Sequence, residues 1–219
     1  MKLPYKISFV KFLYSVIFFL ILLSFNQDNE RNYFSLFAIN KSLPIDADQL
    51  KSCDIIFRRG LSFVSNIVLS ADKNSPYSHV GLIIKENNYP YVVHAVPDES
   101  ESNIDKIKKE SIEQFLRFDR ATAYAIYRMN HNFDKAKIEL FLDSVYNKNT
   151  LFDDDFDLLS SEKMYCTELI YKAFLNSNID LVENKFDTLF IPIGKNPFLL
   201  PGRIITSSKL HKVTDYIQN

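Results

Sequence analysis

The runs Ser78–Ile84 (SHVGLII) and Tyr91–Val96 (YVVHAV) are both β-branched and apolar, and the stretch Asn87–Pro90 lies between them. β-Branched residues suit an extended backbone, and Asn and Pro favour turns. The segment therefore predicts a β-hairpin. No other stretch constrains the fold as strongly. Each strand also carries one histidine, His79 in the first and His94 in the second. Antiparallel pairing through a turn near Asn87 and Asn88 sets these two nearly opposite each other. Opposed residues on one face of a sheet lie about 5 Å apart at Cβ, so local geometry alone makes the imidazoles neighbours.

The flanking segments predict mixed structure. Asp54–Phe57 (DIIF) reads as a short strand closed by Arg58, Arg59 and Gly60. Leu61–Ser70 has apolar residues at 61, 63, 64, 67, 68 and 69, which predicts a helix with a buried face. Asp72–Pro76 reads as a turn. Ser111–Phe118 predicts a short helix capped by Ser111, and Ala121–Arg128 a further strand. Asp134–Tyr146 is amphipathic, with Ile138, Phe141, Leu142 and Val145 on one side. Cys166–Leu175 repeats apolar residues at helical spacing. From Phe186 to Thr214 short apolar pieces are split by Pro192, Pro197 and Pro201. This order predicts an α+β domain over residues 51–219, a small antiparallel sheet with flanking helices.

The first 26 residues have a different character. Lys2, Lys6 and Lys11 form a basic start, and Phe12–Phe25 is apolar except for Tyr14, Ser15 and Ser24. This is the layout of a signal peptide. Extended back to Ile7, the run is also long enough for a single membrane anchor, and both readings stay open. Either one places the domain outside the cytoplasm, with membrane association through residues 7–25. Residues 27–50 read as a linker. The formal net charge of −1 leaves no electrostatic footprint for nucleic acid. Two cysteines, Cys53 and Cys166, are too few for a disulfide framework.

Three residues are suited to nucleophilic chemistry. Cys166 opens a predicted helix, where free N–H groups and the helix dipole favour a thiolate. A histidine within reach of it would act as base, and a polar group behind that histidine would fix its tautomer. His79 suits the first role and His94 the second. The N–H of Cys166, with a neighbouring donor such as Tyr165, would hold an oxyanion. A zinc site from His79, His94 and Cys166 is chemically allowed, but no pair has the close spacing of common zinc motifs, so neither metal nor cofactor is expected. The acidic run Asp153, Asp154, Asp155 and Asp157 lacks the Gly and Glu of a calcium loop and reads as a solvated loop. His131 and His211 lie in polar stretches and read as surface residues.

The motifs Asp54-Ile-Ile-Phe-Arg-Arg-Gly60, Tyr77-Ser-His-Val-Gly81, Val93-His-Ala95 and Tyr165-Cys-Thr-Glu-Leu169 resemble the YiiX/YebB-like family of permuted papain-like cysteine hydrolases. That family is related to the NlpC-type peptidases and to lecithin retinol acyltransferase. The stretches Ile112–Arg128 and Leu200–Val213 look like its remaining landmarks. The resemblance implies a circularly permuted papain-like fold, with the histidine-bearing strands ahead of the cysteine-bearing helix. It also implies Cys166 as nucleophile, His79 as base and His94 as the orienting third member, where many members carry Glu. The expected function is hydrolysis of an amide or ester bond in a cell-wall peptide or a lipid through an acyl-enzyme. Acyl transfer, or a non-catalytic envelope-binding module on the same fold, are the alternatives.

Overall fold

In the computed structural model, residues 41–97, 105–160, 162–187 and 197–218 are described. Eight strands form one sheet: β1 (Ile55–Gly60), β2 (His79–Glu86), β3 (Tyr89–Val96), β4 (Lys106–Ser111), β5 (Ala121–Met129), β6 (Leu151–Phe152), β7 (Lys163–Met164) and β8 (Leu210–Ile217). Their spatial order is β7-β6-β4-β3-β2-β1-β5-β8. Every neighbouring pair is antiparallel except β6 and β7. Five helices accompany it: α1 (Phe63–Ala71), α2 (Ile112–Phe115), α3 (Lys135–Asn147), α4 (Cys166–Asn176) and α5 (Pro201–Ile205). The expected α+β class is present, with a sheet larger than the hairpin and two strands legible in the sequence.

Both faces of the sheet are covered, which explains the near-continuous apolar strands. One face carries Ile55, Phe57, Val80, Leu82, Val93 and Ala95 and packs against Leu142 of α3 and Leu169 and Ile170 of α4. The other carries Ile56, Ile83, Val92 and Ile126 and packs against Ile112 and Phe115 of α2 and against Leu43 and Leu50. The folded unit begins at Ser42, so the expected linker ends earlier than residue 50. Leu43 donates its N–H to Leu116 O at 2.9 Å, and Tyr124 Oη donates to Pro44 O at 2.7 Å. The expected signal peptide or anchor, residues 1–26, lies outside the described residues. Among the described residues no helix is long and apolar enough to cross a membrane.

The hairpin turn is tighter than expected. Asn87 and Asn88 both have positive φ, 50° and 65°, the backbone of a two-residue hairpin loop that Asn tolerates. Strand β3 therefore begins at Tyr89, with Leu82 opposite Val93 and Glu86 opposite Tyr89. In β1 the strand continues through Arg58, Arg59 and Gly60 rather than ending at Phe57. Helix α1 forms as expected, with Ser62 capping it, but its buried residue is Ser65; Leu61, Phe63 and Ile67 are exposed. Val64, Val68 and Leu69 are half-buried, so only part of the expected apolar face is turned inward.

A buried ion pair fixes the start of β1 to β5. Asp54, 1% exposed, accepts from Arg128 Nε and Nη2 at 2.7 Å each, and from Lys51 N at 2.8 Å. Replacing Arg128 with Met leaves a buried carboxylate without its counter-charge. Such a loss costs about 3–5 kcal/mol, and urea unfolding of Arg128→Met should show it.

Candidate functional site

The ladder between β2 and β3 starts at Leu82 and Val93, and the backbone at 79–81 lies beyond it. Here the chemistry-bearing residues gather. His79 and His94 project to the α2 side of the sheet with Arg58, which is opposite His79 in β1. Continuing the observed register sets Gly81, not His79, beside His94. The expected opposition of the two histidines is therefore a diagonal contact. Gly81 permits it, since a Cβ there would come within 3.2 Å of His94 Cβ and 2.5 Å of a Val92 methyl.

A chain of side chains runs inward from His79. His79 Nε2 lies 2.9 Å from His94 Nδ1, and His94 Nε2 lies 3.1 Å from Glu110 Oε1. Glu110 Oε2 accepts from Arg120 Nη1 at 3.0 Å. Phe115 backs the cluster, with ring centroids 5.7 Å from His79 and 5.0 Å from His94. The Arg58 guanidinium lies 4.5 Å over the Phe115 ring and donates to Phe115 O at 2.8 Å. Glu110 and Arg120 were not singled out in the sequence. The lysines of β4 (KIKKES) conceal a strand, and the alternation that could have shown it rests on Ile107 alone.

Electrostatics divide the chain of groups. Burial pushes the His79 imidazole well below its usual range, and the nearby charges of Arg58, His94 and Lys108 push the same way. His79 is therefore a neutral base at physiological pH. Burial opposes the charge on Glu110, but its hydrogen bond to His94, with Arg120 and Arg58, outweighs burial and holds the carboxyl at about 2. The Glu110 carboxylate 3.1 Å from His94 Nε2 favours a proton on that nitrogen. With Nε2 of His79 engaged to His94, Nδ1 is the His79 nitrogen left for a reacting proton.

Cys166 is the first residue of α4 and is partly exposed. The helix lies on the opposite face of the sheet from the imidazoles. The backbone N–H groups of Val80, the residue after His79, of Thr167 and of Cys166 itself lie close enough to the sulfur to favour its ionised form. The thiol thus reaches the strand where the β2–β3 ladder has not begun. Among the described residues no hydrogen bond joins it to the His79 ring. The expected depression of the thiol pKa is not what the surroundings give. Burial, the largest influence, pushes it up to about 11, while the three N–H donors and Arg58 pull it down only in part. The resting pair is therefore thiol and neutral imidazole rather than an ion pair.

The backbone N–H of Tyr165 is already engaged. It donates to Glu168 Oε2 at 3.2 Å in a capping box, and the Tyr165 hydroxyl accepts from Leu199 N at 3.0 Å. Glu168, fully buried and beside Lys172 Nζ at 2.6 Å, is pushed up to about 7 by burial. Of the acidic run, Asp153 is buried and caps its own loop, accepting from Asp155 N at 3.0 Å and Asp157 N at 2.7 Å; Asp154 and Asp155 are exposed as expected. His131 and His211 are at the surface. Cys53 and Cys166 are free thiols, and burial raises that of Cys53 to about 12.

Known proteins share this arrangement of strands and helix. A family model described as the permuted papain-like amidase enzyme, YaeF/YiiX, C92 family, matches residues 49–191. The chain is 23% identical over 154 residues to the uncharacterized protein YiiX of Escherichia coli K12, covering 67% of this chain and 68% of that one. A crystal structure described as metalloprotein yiiX from Escherichia coli O157:H7 (DUF1105) superposes with a TM-score of 0.64 at 20% identity, covering 77% of this chain and 99% of that one. Among the described residues no three His, Cys, Asp or Glu side chains are grouped to hold a metal ion. The sheet order, the cysteine-led helix beside the histidine-bearing strand and the match over residues 49–191 together make this chain a member of the permuted papain-like amidase family, YaeF/YiiX, C92.

Proposed function

We propose that the protein is a cysteine-dependent amide or ester hydrolase acting through an acyl-enzyme on Cys166. The observation that carries this is Cys166 at the start of α4, which packs on β2 and brings the sulfur near the Val80 N–H, one residue from an imidazole backed by His94 and Glu110. In the reaction, Cys166 Sγ attacks the substrate carbonyl carbon as His79 Nδ1 takes the thiol proton. The C=O π bond opens onto oxygen, and the Cys166 N–H is the donor nearest the resulting oxyanion. Collapse breaks the bond to the leaving group, which takes the proton back from His79. Water, deprotonated by His79, then attacks the thioester carbonyl; the C–S bond breaks, the sulfur takes the proton back from His79, and the carboxylic acid leaves. A neutral base and a protonated thiol suit this concerted transfer, because no standing charge separation has to be maintained in a buried site.

The apolar segment at residues 12–25 supports a location outside the cytoplasm, and with it a cell-envelope peptide or lipid as substrate. The raised thiol favours a second reading, a binding module that has kept the fold without the chemistry. Mass spectrometry separates the two. The full chain, incubated with cell-wall peptides and with lipid esters and quenched in acid, should carry an acyl adduct on the peptide containing Cys166 for one of these classes. Absence of any adduct or turnover across both classes would favour the binding module.

A further inference from the structure

Helix α1 leaves part of its apolar surface uncovered. Its one buried residue is Ser65, held by Ser62 Oγ and lying against Gly60, where any added Cβ would collide with the Ser65 side chain. Val64, Val68 and Leu69 are half-buried, but Phe63 is 80% exposed, Ile67 53% and Leu61, just ahead of the helix, 50%. Phe63 and Ile67 are one helical turn apart and form one patch. A water-facing helix of this kind is unfavourable unless something apolar meets it.

We propose that this face docks on the surface of a lipid bilayer. The stretch Leu61–Ala71 contains no charged residue, and Arg59 and Lys73, both exposed, flank it. The acid nearest to it in sequence, Asp72, is buried and turned inward, accepting from Gly202 N at 2.5 Å and Asn74 N at 3.0 Å. An apolar face with basic ends is complementary to the acyl-chain boundary and anionic headgroups of a bilayer. The envelope location proposed above supplies such a surface, and the docking rests on that location. The docked face also adjoins the site. Gly60 N donates to Ser78 Oγ at 3.0 Å, and Ser78 immediately precedes His79. Docking would therefore hold the opened end of β2 next to the bilayer, where lipid-borne substrates are presented.

The chain has no tryptophan, so Phe63→Trp in the full-length protein gives a single reporter on α1. A local reporter is needed because residues 12–25 would bring the chain to vesicles on their own. On adding vesicles of phosphatidylcholine with a minority of phosphatidylglycerol, its emission should shift to the blue and be quenched by brominated acyl chains. Arg59→Glu with Lys73→Glu should abolish the shift while the protein stays vesicle-bound. Emission that stays red with vesicles overturns the proposal. So does emission already blue without lipid, which would show another segment of this chain covering α1. A lipid-free shift that grows with protein concentration overturns it as well, in favour of a second copy. Should circular dichroism show that Phe63→Trp fails to fold, Ile67→Trp serves the same purpose. Repeating the measurement with Cys166→Ala keeps the docking distinct from the thiol chemistry, since that variant should dock unchanged.

Discussion

Cys166→Ala is expected to lower hydrolysis by at least about 10³-fold while leaving the fold in place. Removal of a covalent nucleophile leaves only binding and oxyanion stabilisation. Backbone N–H groups are the sulfur's polar neighbours, and among the described residues no side-chain hydrogen bond reaches it, so its loss should shift Tm by only about 2–4 °C in a domain of this size. Turnover measured on whichever substrate class acylates the thiol, together with a thermal melt, checks both parts. Turnover within a few-fold of the unaltered protein would remove Cys166 from the mechanism. Cys166→Ser would be a weaker test, because a hydroxyl beside a neutral imidazole retains some nucleophilic character.

The second large effect is expected at Glu110. Its carboxyl titrates at about 2 in the folded chain against 4.5 ordinarily, after the His94 hydrogen bond, Arg120 and Arg58 overcome burial. A carboxylate depressed on folding stabilises the protein fully above the ordinary value and loses that contribution as pH falls from 4.5 towards 2. The difference amounts to about 3 kcal/mol. Glu110→Gln keeps the shape and removes the charge. It should therefore lower stability by about 3 kcal/mol at neutral pH and flatten the stability curve between pH 4.5 and 3. A shallower loss beginning below pH 6.5 should survive in the variant, because protonating the depressed His79 imidazole disfavours the folded state. Activity separates positioning from packing. With Glu110 gone the His94 ring loses its fixed acceptor, so kcat should fall about 10- to 100-fold, below the full effect of losing a directly bonded orienting carboxylate, with KM little changed. Parallel stability curves for the two proteins, or an unchanged kcat, would mean that Glu110 does not orient the histidines.

The parts of the site legible in the sequence were those set by short-range geometry. The hairpin followed from β-branched runs around Asn87 and Asn88, and it delivered His79 and His94 to one face. The start of α4 at Cys166 followed from helical spacing. What escaped depends on which strand pairs with which. Glu110 lies on a strand whose lysines concealed its alternation, and it reaches His94 only because β4 pairs with β3. The two-residue offset between the histidines needed the exact turn length. The raised thiol pKa reflects desolvation by the surrounding fold, which a local argument from helix dipoles does not include. Helix α1 is where expected, but its exposed Phe63 and Ile67 were not legible, because periodicity identifies an apolar stripe and not how much of it the domain covers.

Strand β8 closes the sheet with residues taken from the end of the chain. Met129 is opposite Leu210 and Ala123 opposite Ile217, so between 81 and 94 residues separate the partners, and Gln218 still donates to Thr122 O at 2.9 Å. Contacts of such long range form late, and until they do, the backbone of β5 is an open edge able to recruit other chains. A premature stop or a protease nick ahead of Leu210 would leave the thiol and both imidazoles in the chain yet uncover the β5 edge, and such a product is expected to self-associate.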